Sequence, residues 1–220
     1  MVLTVCWSIK GGVGTTVVTA LLAIRRAETD PAGVVAVDMA GDLPAALGIS
    51  SGDAPGLADW VAADHDIGPD ALDRLSREVR PGLSMLERGV GGLEPIDRLD
   101  VAAGLLATGS RHAIVDAGRI DCTDAEARRL IAGAADVSLL VIRPCYLALR
   151  RASAAPIRPS GVVLVSEIGR ALDARDVEEV IGAPVLLEVG IDPAIARAVD
   201  AGLLTSRMPR GLSRLLDRTA

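Results

Sequence analysis

The sequence predicts an α/β fold of the doubly wound kind, a mostly parallel sheet of about seven strands with helices on both faces, in one domain spanning residues 1–220. Three observations predict it. The chain is 220 residues long, the upper end of a single compact domain and enough to bury roughly 70% of its unfolded surface. Half of its residues are hydrophobic, and they fall into continuous apolar runs of strand length that alternate with helical periods, as a sheet covered on both faces requires. The first of these runs ends in a glycine-rich turn that opens directly into a helical pattern.

Taken in order, Val2 to Ile9 is a β-rich apolar run with no basic segment before it, and it reads as a strand rather than a signal peptide. Lys10-Gly11-Gly12-Val13-Gly14 follows, then a helix over Thr15 to Glu28. Further strands are expected at Gly33 to Asp38, Gly82 to Leu86, His112 to Asp116, Val137 to Ile142, Gly161 to Val165 and Pro184 to Val189. Helices are expected at Leu57 to Ala63, Pro69 to Val79, Pro95 to Ala107, Thr123 to Ala134, Asp173 to Ile181 and Pro193 to Ala201. Residues 39–56 read as a loop, too short and apolar for a domain linker. In the tail from Arg207 to Ala220, Leu212, Leu215 and Leu216 stand at helical spacing among four arginines. It reads as a last helix docked on the body; contact with a membrane surface is the alternative, disfavoured because three leucines give little insertion energy.

Composition narrows the function. Phe is absent, Tyr occurs once and Trp twice, so the chain lacks the aromatic platforms of base-stacking modules. The net charge of -6 disfavours a dedicated DNA binder. Cys6, Cys122 and Cys145, with His65 and His112, show no paired metal-ligand spacing, and three cysteines make no disulfide framework, which points to a reducing cytoplasm. Asp136 and Arg143 interrupt the most apolar stretch, so no segment is expected to span a membrane.

Lys10 is the only lysine among 23 basic residues. A sequence that uses arginine everywhere else keeps a slim ammonium directly before a glycine-rich turn, where a point charge suits phosphates. Chance survival is the alternative. A strand, a glycine turn and a helix N-terminus in succession form an anion cradle. The strict pattern G-x-x-x-x-G-K-[ST] is not met, because Ile9 stands at its first glycine and Thr15 at its lysine. The variant pattern K-G-G-x-G-x-[ST] is met.

SIKGGVGTTVVTALLA resembles the deviant Walker A loop of the MinD/ParA superfamily of P-loop ATPases, and the likeness continues along nearly the whole chain. VVAVDMAGDLPAALGI resembles that family's first switch strand and loop, GLSMLERG its third strand and HAIVDAG its second switch strand. ADVSLLVIRPCYLALRRA is similar to the following strand-Pro-helix unit, and PVLLEVGIDPAIARAVDAG to the late nucleotide-side loop and helix, which includes Asp192. The GGVG-Thr loop and the Gly-Asp-Leu-x-x-x-Leu-Gly stretch are most similar to the CpaE/TadZ branch, whose members position the Tad/Flp pilus machinery.

The resemblance implies ATP and Mg²⁺ as cofactors and an ATP-dependent homodimer with pilus, secretion or polarity proteins as partners, recruited to a pole or the inner membrane face. By matching position, Lys10 would reach the partner's nucleotide as a catalytic and binding residue. Gly11, Gly12, Val13, Gly14, Thr15 and Thr16 would hold phosphate, with Thr16, Asp38 and Asp116 toward Mg²⁺, Asp38 also catalytic and Asp192 on the nucleotide side. Both aspartates end apolar strands, where open α/β sheets place ligands; each could instead merely terminate a buried strand.

Departures from the family pattern weaken hydrolysis. Thr15 removes the subunit's own cation, and the second switch acid falls at Ala40, with Asp42 a substitute of uncertain register. Ser166 stands at an adenine-reading Asn, and Ala117-Gly118 replaces the usual residues after the second switch Asp. Losing one electrostatic contributor to phosphoryl transfer costs about 10²-fold or more, so a slow or inactive ATPase is expected. A ParA-like DNA-partition ATPase, binding through surface arginines such as Arg128, Arg129, Arg150 and Arg151, a MinD-like division-positioning ATPase and a pseudo-ATPase scaffold are the alternatives. Cys122 reads as a small apolar residue, and His65 and His112 as surface and strand-end residues without a catalytic partner.

Overall fold

A computed structural model of the chain describes residues 2–50, 52, 54–63 and 70–206. The expected tail at 207–220, His65 and the start of the expected helix at Pro69 lie outside the described residues. The strands are β1 (Leu3–Ser8), β2 (Val34–Asp38), β3 (Arg77–Arg80), β4 (Leu83–Leu86), β5 (His112–Arg119), β6 (Val137–Ile142), β7 (Gly161–Ser166) and β8 (Val185–Gly190). The helices are α1 (Thr15–Thr29), α2 (Leu43–Leu47), α3 (Leu57–Ala62), α4 (Ala71–Leu75), α5 (Ile96–Thr108), α6 (Ala125–Ala134), α7 (Tyr146–Ser153), α8 (Ala174–Ile181) and α9 (Pro193–Asp200).

The strands form one sheet in the order β3-β4-β2-β5-β1-β6-β7-β8, parallel throughout except for β3 against β4. β1 lies between β5 and β6, so the chain leaves its C-terminal end at the point where the strand order reverses, the crevice that open α/β sheets use for ligands. Successive residues of each strand point to opposite faces. Leu3, Val5 and Trp7 of β1 pack on the layer built from α3 to α8, whereas Cys6 faces the layer of α1, α2 and α9. Burial raises the Cys6 thiol to about 12, which makes it an inert part of that second core.

Two expectations are corrected. The helix expected from Pro69 to Val79 stops at Leu75, and Arg77–Arg80 forms the eighth strand. The cause is local: Pro81-Gly82 is a turn, with Gly82 at φ +81°, that folds Arg77–Arg80 back on Leu83–Leu86 as a hairpin. Within the expected loop 39–56, Leu43–Leu47 is a short helix with proline in its first turn and Gly48 at its end in the left-handed region. Other boundaries agree within a few residues, and β5 runs three residues beyond Asp116.

Candidate functional site

α1 begins without a side-chain cap and without an acid in its first turn. Its leading N–H groups and dipole are therefore free to meet an anion. Gly12 and Gly14 hold φ of +73° and +94°, which favours glycine, and a Cβ built at either would meet nothing within 4 Å. The loop thus faces open space: a cavity of about 400 Å³ whose lining includes Gly11, Gly12, Gly14, Thr15, Thr16, Val17, Ala40, Asp42, Gly118, Arg119, Cys122 and Arg128. Lys10 is exposed and outside that lining, while Val13 is buried.

A second cavity of about 300 Å³ shares Gly14 and Val17 with the first and continues past Val13, Arg143, Val165, Ile191, Asp192 and Ile195. Its walls are largely apolar and it adjoins the phosphate-sized cradle. Asp192 lines it, but its Oδ1 accepts the Ala194 N–H at 2.7 Å and caps α9. Ser166 ends β7 beside this region, and its carbonyl accepts the Ile191 N–H.

Asp38 and Asp116 sit directly opposite each other on β2 and β5. Their surroundings differ. Asp38 Oδ1 accepts the N–H groups of Ala40 and Gly41 at 2.9 and 2.8 Å, and Oδ2 that of Leu43 at 3.3 Å, so this carboxylate folds its own loop. It does not line the cavity above the glycine loop but an adjacent one of about 480 Å³. Burial raises its pKa against those three donors. Asp116 Oδ1 accepts the Gly118 N–H at 3.0 Å, while its Oδ2 is buried without a hydrogen-bond partner. Burial raises Asp116 to about 7, opposed by the nearby Thr16 hydroxyl and reinforced by the Asp38 charge.

The orphaned Asp116 oxygen and the nearby Thr16 hydroxyl, the latter on the lining of the cradle cavity, are hard-oxygen donors of the kind Mg²⁺ takes. Among the described residues no group of three or more His, Cys, Asp or Glu could hold a metal by itself. A cation here would be shared with a bound phosphate, the usual situation for Mg²⁺.

Arg128 was expected at the surface and is instead 7% exposed. Its Nη1 donates to the Ala117 carbonyl at 2.6 Å and its Nη2 to the Met39 carbonyl at 2.9 Å, clamping the ends of β2 and β5 together. Ala117 is left out of the β1–β5 register by a bulge between Cys6 and Trp7. The neighbouring Arg129 Nε donates to the Ile120 carbonyl. Sequence reasoning missed Arg119 and Arg128 as site residues. For Arg128 a signal existed: with Ile131 and Ala132 it occupies the buried stripe of α6 at i, i+3 and i+4.

Cys122 is partly exposed on the cavity wall, its thiol donating to the Arg119 carbonyl at 2.9 Å, so it is not a core residue. His112 opens β5, buried, with Nε2 3.1 Å from the Thr4 hydroxyl. Burial lowers its pKa, and it lies at the end of the sheet away from the cradle. The cysteines are free, and no helix among the described residues is long and apolar enough to cross a membrane.

No family model and no curated protein matches the chain. Solved structures do. A ParA family ATPase from Chlorobium tepidum TLS superimposes with a TM-score of 0.79 at 20% identity, covering 98% of this chain and 95% of that one. The septum site-determining protein MinD from Pyrococcus horikoshii OT3, complexed with Mg-ADP, gives 0.71 at 20% identity over 98% of this chain and 93% of its own. The ATP complex of a D38A variant of McdA from Cyanothece gives 0.71 at 18% identity, over 99% of this chain and 94% of that one. At such identities likeness establishes architecture, and the architecture is unambiguous: this chain has the fold of the ParA and MinD ATPases.

Proposed function

We propose that this chain is an ATP-binding switch protein of MinD/ParA type, a single nucleotide-binding domain that forms a homodimer with Mg-ATP and positions or recruits a partner. The observation that carries the reading is the open glycine loop at the uncapped start of α1, set beside the unpartnered oxygen of Asp116 and the Thr16 hydroxyl. Backbone N–H groups of Gly11 to Thr16 would bind phosphate, and Thr16 and Asp116 would hold Mg²⁺, which when bound neutralises phosphate charge. Asp38, whose oxygens are engaged by three amides, would shape the first switch loop. The apolar cavity past Val13 and Asp192 would take the nucleoside. The MinD and McdA structures hold Mg-ADP and ATP, which supports these cofactors by analogy of fold.

Within that type, the GGVG-Thr loop and the Gly-Asp-Leu stretch favour a CpaE/TadZ-like role in localising a pilus or secretion apparatus. A DNA-partition role is less supported, because the -6 charge remains and one of its four candidate arginines is buried. Hydrolysis is weak in this reading: Thr15 brings no ammonium to the cavity, and by the resemblance Ala40 falls where relatives carry a water-orienting acid, with Asp42 on the same lining as the substitute. Calorimetry with Mg-ATP and Mg-ADP, paired with a phosphate-release assay, tests it. Binding with turnover well below about 1 s⁻¹, the low end of ordinary enzyme rates, is the expected result. Absence of nucleotide binding would overturn the proposal, and turnover at ordinary rates would overturn its switch-like part.

Thr15 lines the cradle. Thr15→Lys is therefore expected to tighten Mg-ATP binding by about tenfold, the worth of one charge-assisted phosphate contact. Equal or weaker affinity in titration would show that phosphate does not sit over this loop.

A further inference from the structure

Of the positions that depart from the resembled pattern, Thr15, Ala40 and Gly118 line the cradle cavity together with two guanidinium groups, and the Ala117 carbonyl accepts from one of them. Resting on the nucleotide-binding reading above, we propose that Arg119 and Arg128 form a two-arginine site, supplied in cis, for the outermost phosphate of a nucleoside triphosphate. They take over the electrostatic task that Thr15 cannot perform.

Four observations support this. Arg128 is 7% exposed and forms no ion pair among the described residues. A guanidinium stays charged at any relevant pH, and the Asp116 carboxyl acts on it through space without a direct ion pair, so its burial is incompletely compensated unless a further anion arrives. Its Nη1 and Nη2 each spend one N–H on the carbonyls of Ala117 and Met39, and its buried Nε has no partner, which leaves donors uncommitted in a group that lines the cradle cavity. The room it occupies is specific: a Cβ at Gly118 would stand 2.7 Å from Arg128 Nη1 and 3.0 Å from the Ala40 Cβ. A side chain at 118 would collide with the guanidinium and crowd the methyl of Ala40.

Arg119 completes the pair. Its Nε is held by Asp121 Oδ1 at 2.7 Å, which leaves the terminal fork available, and Nη1 lies 3.9 Å from where a Gly11 Cβ would be, over the glycine loop. Arg119 and Arg128 line the same cavity as Thr15 and Thr16. Two planar forks on one small cavity match a terminal phosphate, which offers three oxygens and more charge than the inner phosphates. Arg128 also ties together the ends of β2 and β5. Contact with the outermost phosphate would therefore couple triphosphate occupancy to both switch segments at once, which a diphosphate could not do.

The test is calorimetric titration of the purified chain with Mg-ATP, Mg-ADP and inorganic triphosphate, for wild type, Arg119→Gln and Arg128→Met, each checked by thermal melting. The expected result is a loss of about tenfold or more in ATP and triphosphate affinity in either folded variant, with ADP affinity changed much less. If Arg128→Met does not fold, the exposed Arg119→Gln decides. Wild-type binding with an ATP-to-ADP preference unchanged by the variants overturns this site and leaves the nucleotide-binding reading intact. Failure of the wild type to bind any of the three overturns both.

Discussion

With Mg-ATP the wild-type chain is expected to sediment as a dimer, and Lys10→Ala as a monomer that still binds nucleotide. Lys10 starts the loop, is exposed, and stands outside the cavity formed by its own Gly11 to Thr16. Its exposed ammonium is therefore free to reach toward phosphates on a facing copy. Two copies facing each other across their cradles would bring two sets of phosphates together, and that repulsion must be neutralised for the dimer to close. Because the side chain is exposed, its truncation leaves the fold unstrained, so the melting temperature of Lys10→Ala is expected to match wild type. Lys10→Arg is expected to fail as well, since a planar guanidinium is bulkier than an ammonium in a tight phosphate pocket. An ATP-induced dimer that persists in Lys10→Ala in sedimentation velocity would remove the cross-subunit role.

Asp116→Asn is expected to stabilise the nucleotide-free, chelator-treated protein near pH 8 by on the order of 4 kcal/mol, following from a carboxyl raised from 3.8 to about 7. The sign follows from proton linkage. Between the two values the folded state holds a proton that the unfolded state has released, so wild-type stability falls as pH rises through this window and levels off above about 7. Asn keeps an acceptor for the Gly118 N–H and carries no charge to desolvate. The gain is therefore full near pH 8 and vanishes only below about pH 3, where Asp116 is protonated in both states. Denaturant melts of both proteins across this range check it. A pH slope unchanged in the variant would show that Asp116 is not the group responsible. The same substitution is expected to weaken Mg-ATP binding, so a site residue here trades stability for function.

The glycine loop, its flanking strand and helix, and the parallel alternation were legible because they rest on local rules: apolar period, glycine spacing and the need of a buried sheet for two helical covers. The eighth strand was not. Arg77–Arg80 is half-exposed and charged, and without the strand it pairs with, its residues extend a helical pattern as readily as they alternate. Arg128 misled for a related reason. Charge on an amphipathic helix ordinarily marks the solvated face, and only the stripe it shares with Ile131 contradicted that.

By itself the sequence determined which segments are strands buried on both faces, where the glycine-rich cradle lies, and which groups of the resembled pattern are missing from it. Tertiary structure decided what the remaining polar groups do. Asp38 and Asp116 end similar apolar runs and lie in register, yet one is satisfied by three amides of its own loop and the other keeps a buried oxygen without a hydrogen-bond partner. The carbonyls that anchor Arg128 belong to Ala117, 11 residues before it, and Met39, 89 residues before it, which only the folded sheet brings together. Hydrogen-bond satisfaction and desolvation depend on which groups the packed chain brings within a few ångströms, and no local pattern encodes that.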